Sequence, residues 1–295
     1  EKKIIDFKKN NLHLLGYSVP INKFVDRNEL ESHLFSLPEQ PDAIPYVTSY
    51  FKKTWGFCIS HNAKKQIRGN KFKVVIDSKL KNGHLTYAEL IIPGKTRKEI
   101  FFSTNICHPS MANNEISGPA VTTFIAKFLT SIKTKYTYRI IFIPETIGSI
   151  TYLSKNLEQM KENVVAGFNI SCVGDNGAYS YVETRNGDTL ADKVMANVLR
   201  FKNVNFNKYS FLKRGSDERQ YCSPGVDLPV VCVCRSKYEC YDEYHTSLDD
   251  MSFISADGLR GSYELLKECV LLLEANNKFK ITCFGEPQLG KRDLY

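Results

Sequence analysis

Two histidines and a glutamate carry the clearest chemical signal in this chain: His108 in Cys107-His108-Pro109-Ser110, Glu145 in Pro144-Glu145-Thr146-Ile147-Gly148, and His245 in Glu243-Tyr244-His245-Thr246-Ser247. Metal-assisted amide hydrolysis needs a cation held by imidazole and carboxylate, a carboxylate to take a proton from water, and a pocket for substrate. A lone histidine is more often structural than a ligand, but two with a glutamate at separate strand ends of one sheet reverse that balance. Further polar segments, Asn113-Asn114-Glu115-Ile116-Ser117-Gly118, Gly174-Asp175 and Gly215-Ser216-Asp217-Glu218-Arg219-Gln220, fall at the same edge. Arg219 suits either a substrate carboxylate or a brace to Asp217 or Glu218. A thiol mechanism would use Cys107 or Cys222 with His245. However, Cys107 and its neighbour His108 would point to opposite faces of an extended strand end, and Cys222 has no base beside it in sequence.

The elements that must position these groups follow from periodicity. From about residue 97 apolar strands alternate with helices: strands at 99–104, 138–143, 164–173 and 228–234, and helices at 117–134, 148–160, 189–201 and 255–276. Such alternation predicts an α/β fold with a mostly parallel sheet flanked by helices, whose chemistry lies beyond the carboxyl ends of the strands. Residues 1–7 and 96–295 are expected to form this core. Residues 8–95 differ: short aromatic and β-like runs are broken by Pro38, Pro41 and Pro45, and Asn82-Gly83 reads as a hairpin turn. They predict a small inserted β-rich subdomain, with Trp55 and Phe57 in its core and His13, His33, His61 and His84 at its surface or hairpins.

The 295 residues are 42% hydrophobic and 24% charged with a net charge of +8, an ordinary globular composition. The lysines are scattered without a basic stripe, which argues against nucleic-acid binding. No apolar run reaches the roughly 18 residues of a membrane span. Nine cysteines contain no CxxC pair, which argues against a ribbon-type zinc site. Cys232 and Cys234 share one face of a strand. Free thiols, with no signal-type apolar stretch at the N-terminus, point to the cytoplasm.

The segments His108-Pro109-Ser110, Asn113 to Gly118, Pro144 to Ser149, Gly215 to Tyr221 and Tyr244-His245-Thr246-Ser247, with Gln40-Pro41-Asp42-Ala43-Ile44-Pro45-Tyr46 and Glu286 to Arg292, resemble a bacterial family of aminopeptidase-like domain proteins. That family is defined as a domain of unknown function, related to the zinc amino- and carboxypeptidases and often found beside surface-polysaccharide genes. The resemblance spans nearly the whole chain. It implies a zinc-exopeptidase-like core and, beyond the segment that ends here at Tyr295, a C-terminal winged helix that this chain lacks.

Position by position, the resemblance implies that His108, Asn114 and His245 are metal ligands and that Glu145 is base or ligand. Asp217, Glu218, Arg219 and Tyr244 would line the substrate pocket. Asn114 stands where the family has Asp, Pro144 precedes a single Glu145, and Ser171 falls where wider relatives have a ligand Asp, with Asp175 a nearby substitute. These departures imply one zinc ion rather than two. The expected function is a zinc-dependent aminopeptidase-like hydrolase cleaving an amide near a free amine, with Glu145 as base. The alternative is a catalytically degenerate binding module in surface glycan biosynthesis. A small peptide or amide-bearing molecule is the expected partner, without nucleic acid or membrane, and self-association is left open.

Overall fold

The structure, a computed structural model, describes residues 3–282 and 284–295. The small elements come first: β1 (Ile21–Asp26), α1 (Arg27–Ser32), β2 (Leu34–Phe35), β3 (Phe57–Cys58), α2 (His61–Lys65) and β4 (Lys71–Ile76). β1 pairs antiparallel with β4, and β2 pairs with β3. Val25, Leu30, Leu34, Trp55, Ile59, Val74 and Ile76 bury a core between them, so Trp55 is interior as its neighbours suggest.

The larger unit contains β5 (Ala88–Ile92), β6 (Glu99–Asn105), α3 (Ser117–Thr130), β7 (Thr137–Ile143), α4 (Ile147–Asn163), β8 (Val164–Ile170), β9 (Tyr179–Val182), α5 (Leu190–Phe201), β10 (Phe206–Tyr209), α6 (Glu218–Tyr221), β11 (Val230–Cys234) and α7 (Ala256–Ala275). Seven strands form a mixed sheet in the order β10-β9-β11-β8-β6-β7-β5. Its centre, β7-β6-β8-β11, is parallel. Every residue of β6 and β11 is buried, the pattern expected of strands covered on both faces.

The boundary of the small subdomain differs from the sequence expectation in two ways. Ala88–Ile92, expected to lie in the insert, pairs antiparallel with β7 and completes the large sheet. Without it β7 would present unpaired backbone groups along an apolar edge. The Asn82-Gly83 hairpin does not form, because β4 and β5 pair with partners in different sheets. Ile5, expected in the large core, packs against the small cluster instead.

Local sequence fixes the elements that reach the site. Thr189 and Asp192 form a reciprocal capping box at the start of α5, and the Ser255 hydroxyl accepts from Gly258 N at 2.8 Å to cap α7. At the start of α3 a Cβ on Gly118 would lie 2.4 Å from Thr104 Oγ1 and 2.7 Å from the Ile170 carbonyl oxygen. The helix therefore presses directly on the ends of β6 and β8. Gly118→Ala is expected to destabilise the protein by roughly 1–3 kcal/mol through overpacking. Gly83→Ala, which meets nothing within 4 Å, should stay within about 0.5 kcal/mol of the parent. Urea unfolding of both variants checks the contrast.

Candidate active site

Beyond the ends of β6, β7, β8 and β11 the chain turns through short, constrained loops. After β6 comes His108, then a π-helical turn at Ala112–Ile116 that presents Asn114 and Glu115. Such turns recur at functional sites. The Glu115 carboxylate holds both sides of the β6 loop: Oε2 accepts from Cys107 N at 2.7 Å, and Oε1 meets His108 Nδ1. This bond fixes the imidazole and leaves Nε2 facing Glu145 Oε2 at 3.9 Å. Carboxylates behind a histidine orient it and raise its basicity. Burial pulls the His108 imidazolium down, but Cys107 and Glu115 outweigh it and push its pKa up to about 11.

His245 lies 4.9 Å from His108 between ring centroids. Its backbone is left-handed, with φ 56°. Burial, reinforced by His108, drives its pKa down to about 3, so the ring is neutral near pH 7. Tyr244 stacks on it at 3.9 Å, and Tyr46 meets both imidazoles edge-on. Tyr46 comes from the N-terminal region: its N–H donates to the His245 carbonyl at 2.8 Å, beside a bridge between Pro45 and Thr246.

Glu145 sits on a strained turn. Thr146 has φ 62° and ψ −71°, and Ile147 N donates to the Glu145 carbonyl at 2.7 Å. This is the rare positive-φ γ-turn, costly for a β-branched residue. Asp217 and Arg219 hold it: Thr146 N donates to Asp217 Oδ1 at 2.7 Å, and Arg219 Nη2 donates to Thr146 Oγ1. Burial raises the Glu145 carboxyl, opposed by His108 and Ser216. Asn105 Nδ2 donates to Glu145 Oε1 at 3.2 Å.

The structure thus brings His108, His245, Glu145 and Tyr244 into one pocket. Asn114 lies on the π-helical turn one residue before Glu115, its Nδ2 3.6 Å from Cys172 Sγ and its Oδ1 buried without a partner among the described residues. Ser171, buried behind it, donates to the Asn114 carbonyl at 3.4 Å. Asp175 is engaged elsewhere, accepting from Asn113 Nδ2, Gly177 N, Ser236 N and Ser236 Oγ. Glu218 is fully buried against Gly215 N, Asn169 Nδ2 and the Tyr238 hydroxyl. Arg219 pairs with Thr146 rather than with Asp217 or Glu218.

The thiol expectation changes at one point. Beyond Asn105 the chain has left the strand, and the exposed Cys107 thiol lies beside the His108 ring instead of across the backbone from it. Cys222 is buried, donates to the Leu228 and Val230 carbonyls, and has its pKa pushed up to about 11, chiefly by burial. A thiol so placed is not a nucleophile.

Sequence reasoning passed over Glu115, Tyr46, Asn105, Thr146 and Asp249. Asp249 accepts from Asn113 N and from Asn114 N, the latter at 3.0 Å. Only Glu115 had a legible signal, seven residues after His108 within the same motif.

A model of a domain of unknown function, DUF4910, matches residues 10–276. The chain belongs to the DUF4910 family. This DUF4910 chain is 45% identical, over its full length and 68% of the relative's, to a Clostridium acetobutylicum protein whose name assigns it provisionally to polysaccharide biosynthesis and gives it an aminopeptidase-like domain. A crystal structure of a C. acetobutylicum protein, provisionally described as a peptidase, superposes with TM-score 0.93 at 45% identity, covering 99% of this chain and 69% of the other. A zinc aminopeptidase from Bacillus subtilis matches with TM-score 0.62 at 16% identity, over 84% of this chain and 65% of the other. At that identity the likeness shows the aminopeptidase fold alone, and the family is that of the sequence resemblance.

The donor set can be tested against zinc. Among the described residues no three of His, Cys, Asp and Glu gather around one point. Two buried side-chain atoms nevertheless have no partner among the described residues, His245 Nε2 and Asn114 Oδ1. An amide oxygen at position 114 supplies one ligand without a charge. With a neutral amide in place of a carboxylate, the donor set is less suited to zinc than one with Asp at this position.

Asp217 provides a pH test apart from the imidazoles. Its carboxyl is buried, Oδ2 has no partner among the described residues, and burial followed by Glu145 pushes its pKa up to about 8. The folded state therefore keeps a proton that the unfolded chain releases near pH 4. This stabilisation is complete below about pH 4 and is lost as pH rises through about 8. Measured by urea unfolding across this range, the stability of Asp217→Asn relative to the parent should rise with pH. A difference independent of pH would contradict the assignment.

Proposed function

We propose that this chain is a zinc-dependent amide hydrolase of aminopeptidase type, using one ion, with Glu145 as the general base. The observation that carries the reading is the pairing of the His108 and His245 imidazoles, with the buried His245 Nε2 lacking a partner among the described residues. His108, His245 and Asn114 Oδ1 would hold the ion, which when bound would polarise the scissile carbonyl. Glu115 keeps His108 in one orientation. Glu145, its carboxyl raised by burial, is suited to take a proton from water and return it to the leaving amine. Tyr46 and Tyr244 keep bulk water from the imidazoles. The carboxylates around the pocket favour a substrate with a free ammonium group near the amide. The name of the C. acetobutylicum relative supports a peptide-like or amide-bearing precursor of a surface glycan. The eight free thiols among the described residues support a reducing cytoplasm.

A second reading has its own observation. Asn114 contributes no charge, and among the described residues no three ionisable ligands converge, which supports a binding module derived from the hydrolase fold. Metal analysis of the purified protein beside Asn114→Asp separates the two. The hydrolase reading expects zinc approaching one per chain, bound more tightly by the variant. It also expects a loss of about 10²–10⁴ in turnover of aminoacyl amides for Glu145→Gln with metal retained. Absence of both metal and turnover in the parent would leave the binding module.

A further inference from the structure

Tyr46, which meets both imidazoles, leads on its other side to a group of exposed aromatic rings, Tyr17, Tyr50 and Phe51, that the hydrolytic reading does not use. The Tyr46 hydroxyl adjoins that of Tyr50. Tyr50 lies 5.1 Å from Tyr17 and 6.2 Å from Phe51 between ring centroids, at interplanar angles of 53° and 56°. Tyr17, Tyr50 and Phe51, with Lys52, Lys53 and Leu80, line a shallow cavity of about 300 Å3. Tyr17 is 60% exposed, Tyr50 55% and Phe51 fully exposed.

The backbone beneath the rings is tightly built. Gly16 N donates to the Val47 carbonyl at 2.9 Å, and Ser49 N and Oγ both donate back to the Gly16 carbonyl. A Cβ on Gly16 would come 2.9 Å from Thr48 Cγ2. Tyr17 is held left-handed, with φ 66°. The fold thus uses a strained residue and a stitched loop pair to hold large rings in water, where they gain nothing from burial. Grouped exposed aromatics on a fixed backbone mark a binding surface, and tyrosine supplies rigid amphipathic contact area at low entropic cost.

We propose that this shelf is a substrate subsite for a sugar ring bearing a carboxylate or phosphate. The CH face of the sugar packs on Tyr17, Tyr50 and Phe51, its hydroxyls meet the phenols, and its anion meets Lys52 and Lys53. Charge and continuity select this occupant: two adjacent exposed lysines border the rings, and Tyr46 joins the shelf to the imidazole pair. That the sugar belongs to the substrate rests on the hydrolase reading. That it binds does not.

Saturation-transfer NMR titrations with methyl glucuronide, glucose 1-phosphate, methyl glucoside and uridine monophosphate test the shelf without turnover. The two anionic sugars should bind more tightly than the neutral glucoside. A Tyr17→Ala/Tyr50→Ala double variant should weaken them by at least about tenfold at unchanged melting temperature. Lys52→Ala/Lys53→Ala should erase the preference for anions while keeping the glucoside. No sugar signal, binding unaffected by the ring variants, or binding of the nucleotide alone would overturn the proposal. Sugar binding without any amide hydrolysis would sink the hydrolase reading and leave the shelf standing. Hydrolysis without sugar binding would do the reverse.

Discussion

The Asp249 carboxylate is the tie on which the site depends. It accepts from the backbone amides of Asn113 and Asn114 while the Tyr241 hydroxyl donates to it at 3.3 Å. The π-helical turn that carries Asn114 and Glu115 is thereby fastened to the loop that carries His245. Glu115 then fixes His108, and His108 faces Glu145. Burial raises the Asp249 carboxyl, opposed by the amides it binds. Each member of this series is placed by a hydrogen bond to a neighbour, so the geometry is set before any ligand arrives.

Charge is balanced within the site in an uneven way. The His108 pKa is pushed up by Cys107 and by the Glu115 carboxylate behind it, whereas that of His245, 4.9 Å away, is driven down by burial and by the like charge of His108. Two residues of one type therefore hold different protonation states, set by environment.

The large sheet was legible in the sequence because its strands are apolar throughout and its helices are amphipathic. The strand expected at 99–104 is β6 at Glu99–Asn105, and the helix expected at 255–276 is α7 at Ala256–Ala275. The run that contains β5 was legible but its partner was not: the sequence pairs it across Asn82-Gly83, whereas its place is decided by the open edge of β7. At the site, His108, Glu145 and His245 stood out by residue type. Tyr46 could not, because it reaches the imidazoles from another part of the chain. Asp249 and Thr146 act through backbone hydrogen bonds and strain, which leave no mark on residue spacing.

The contact of Tyr46 with His245 has a consequence for folding. Residues 44–46 and 245–247 are joined by Tyr46 N to the His245 carbonyl, Ser247 N to the Ile44 carbonyl, and Ile44 N to Ser247 Oγ. Loops closed over some two hundred residues form late, after local elements have condensed. During synthesis this link cannot close until residues 245–247 have emerged. The pocket is therefore among the final features of the molecule to assemble, and a half-made chain holds neither a finished pocket nor exposed paired imidazoles able to scavenge metal.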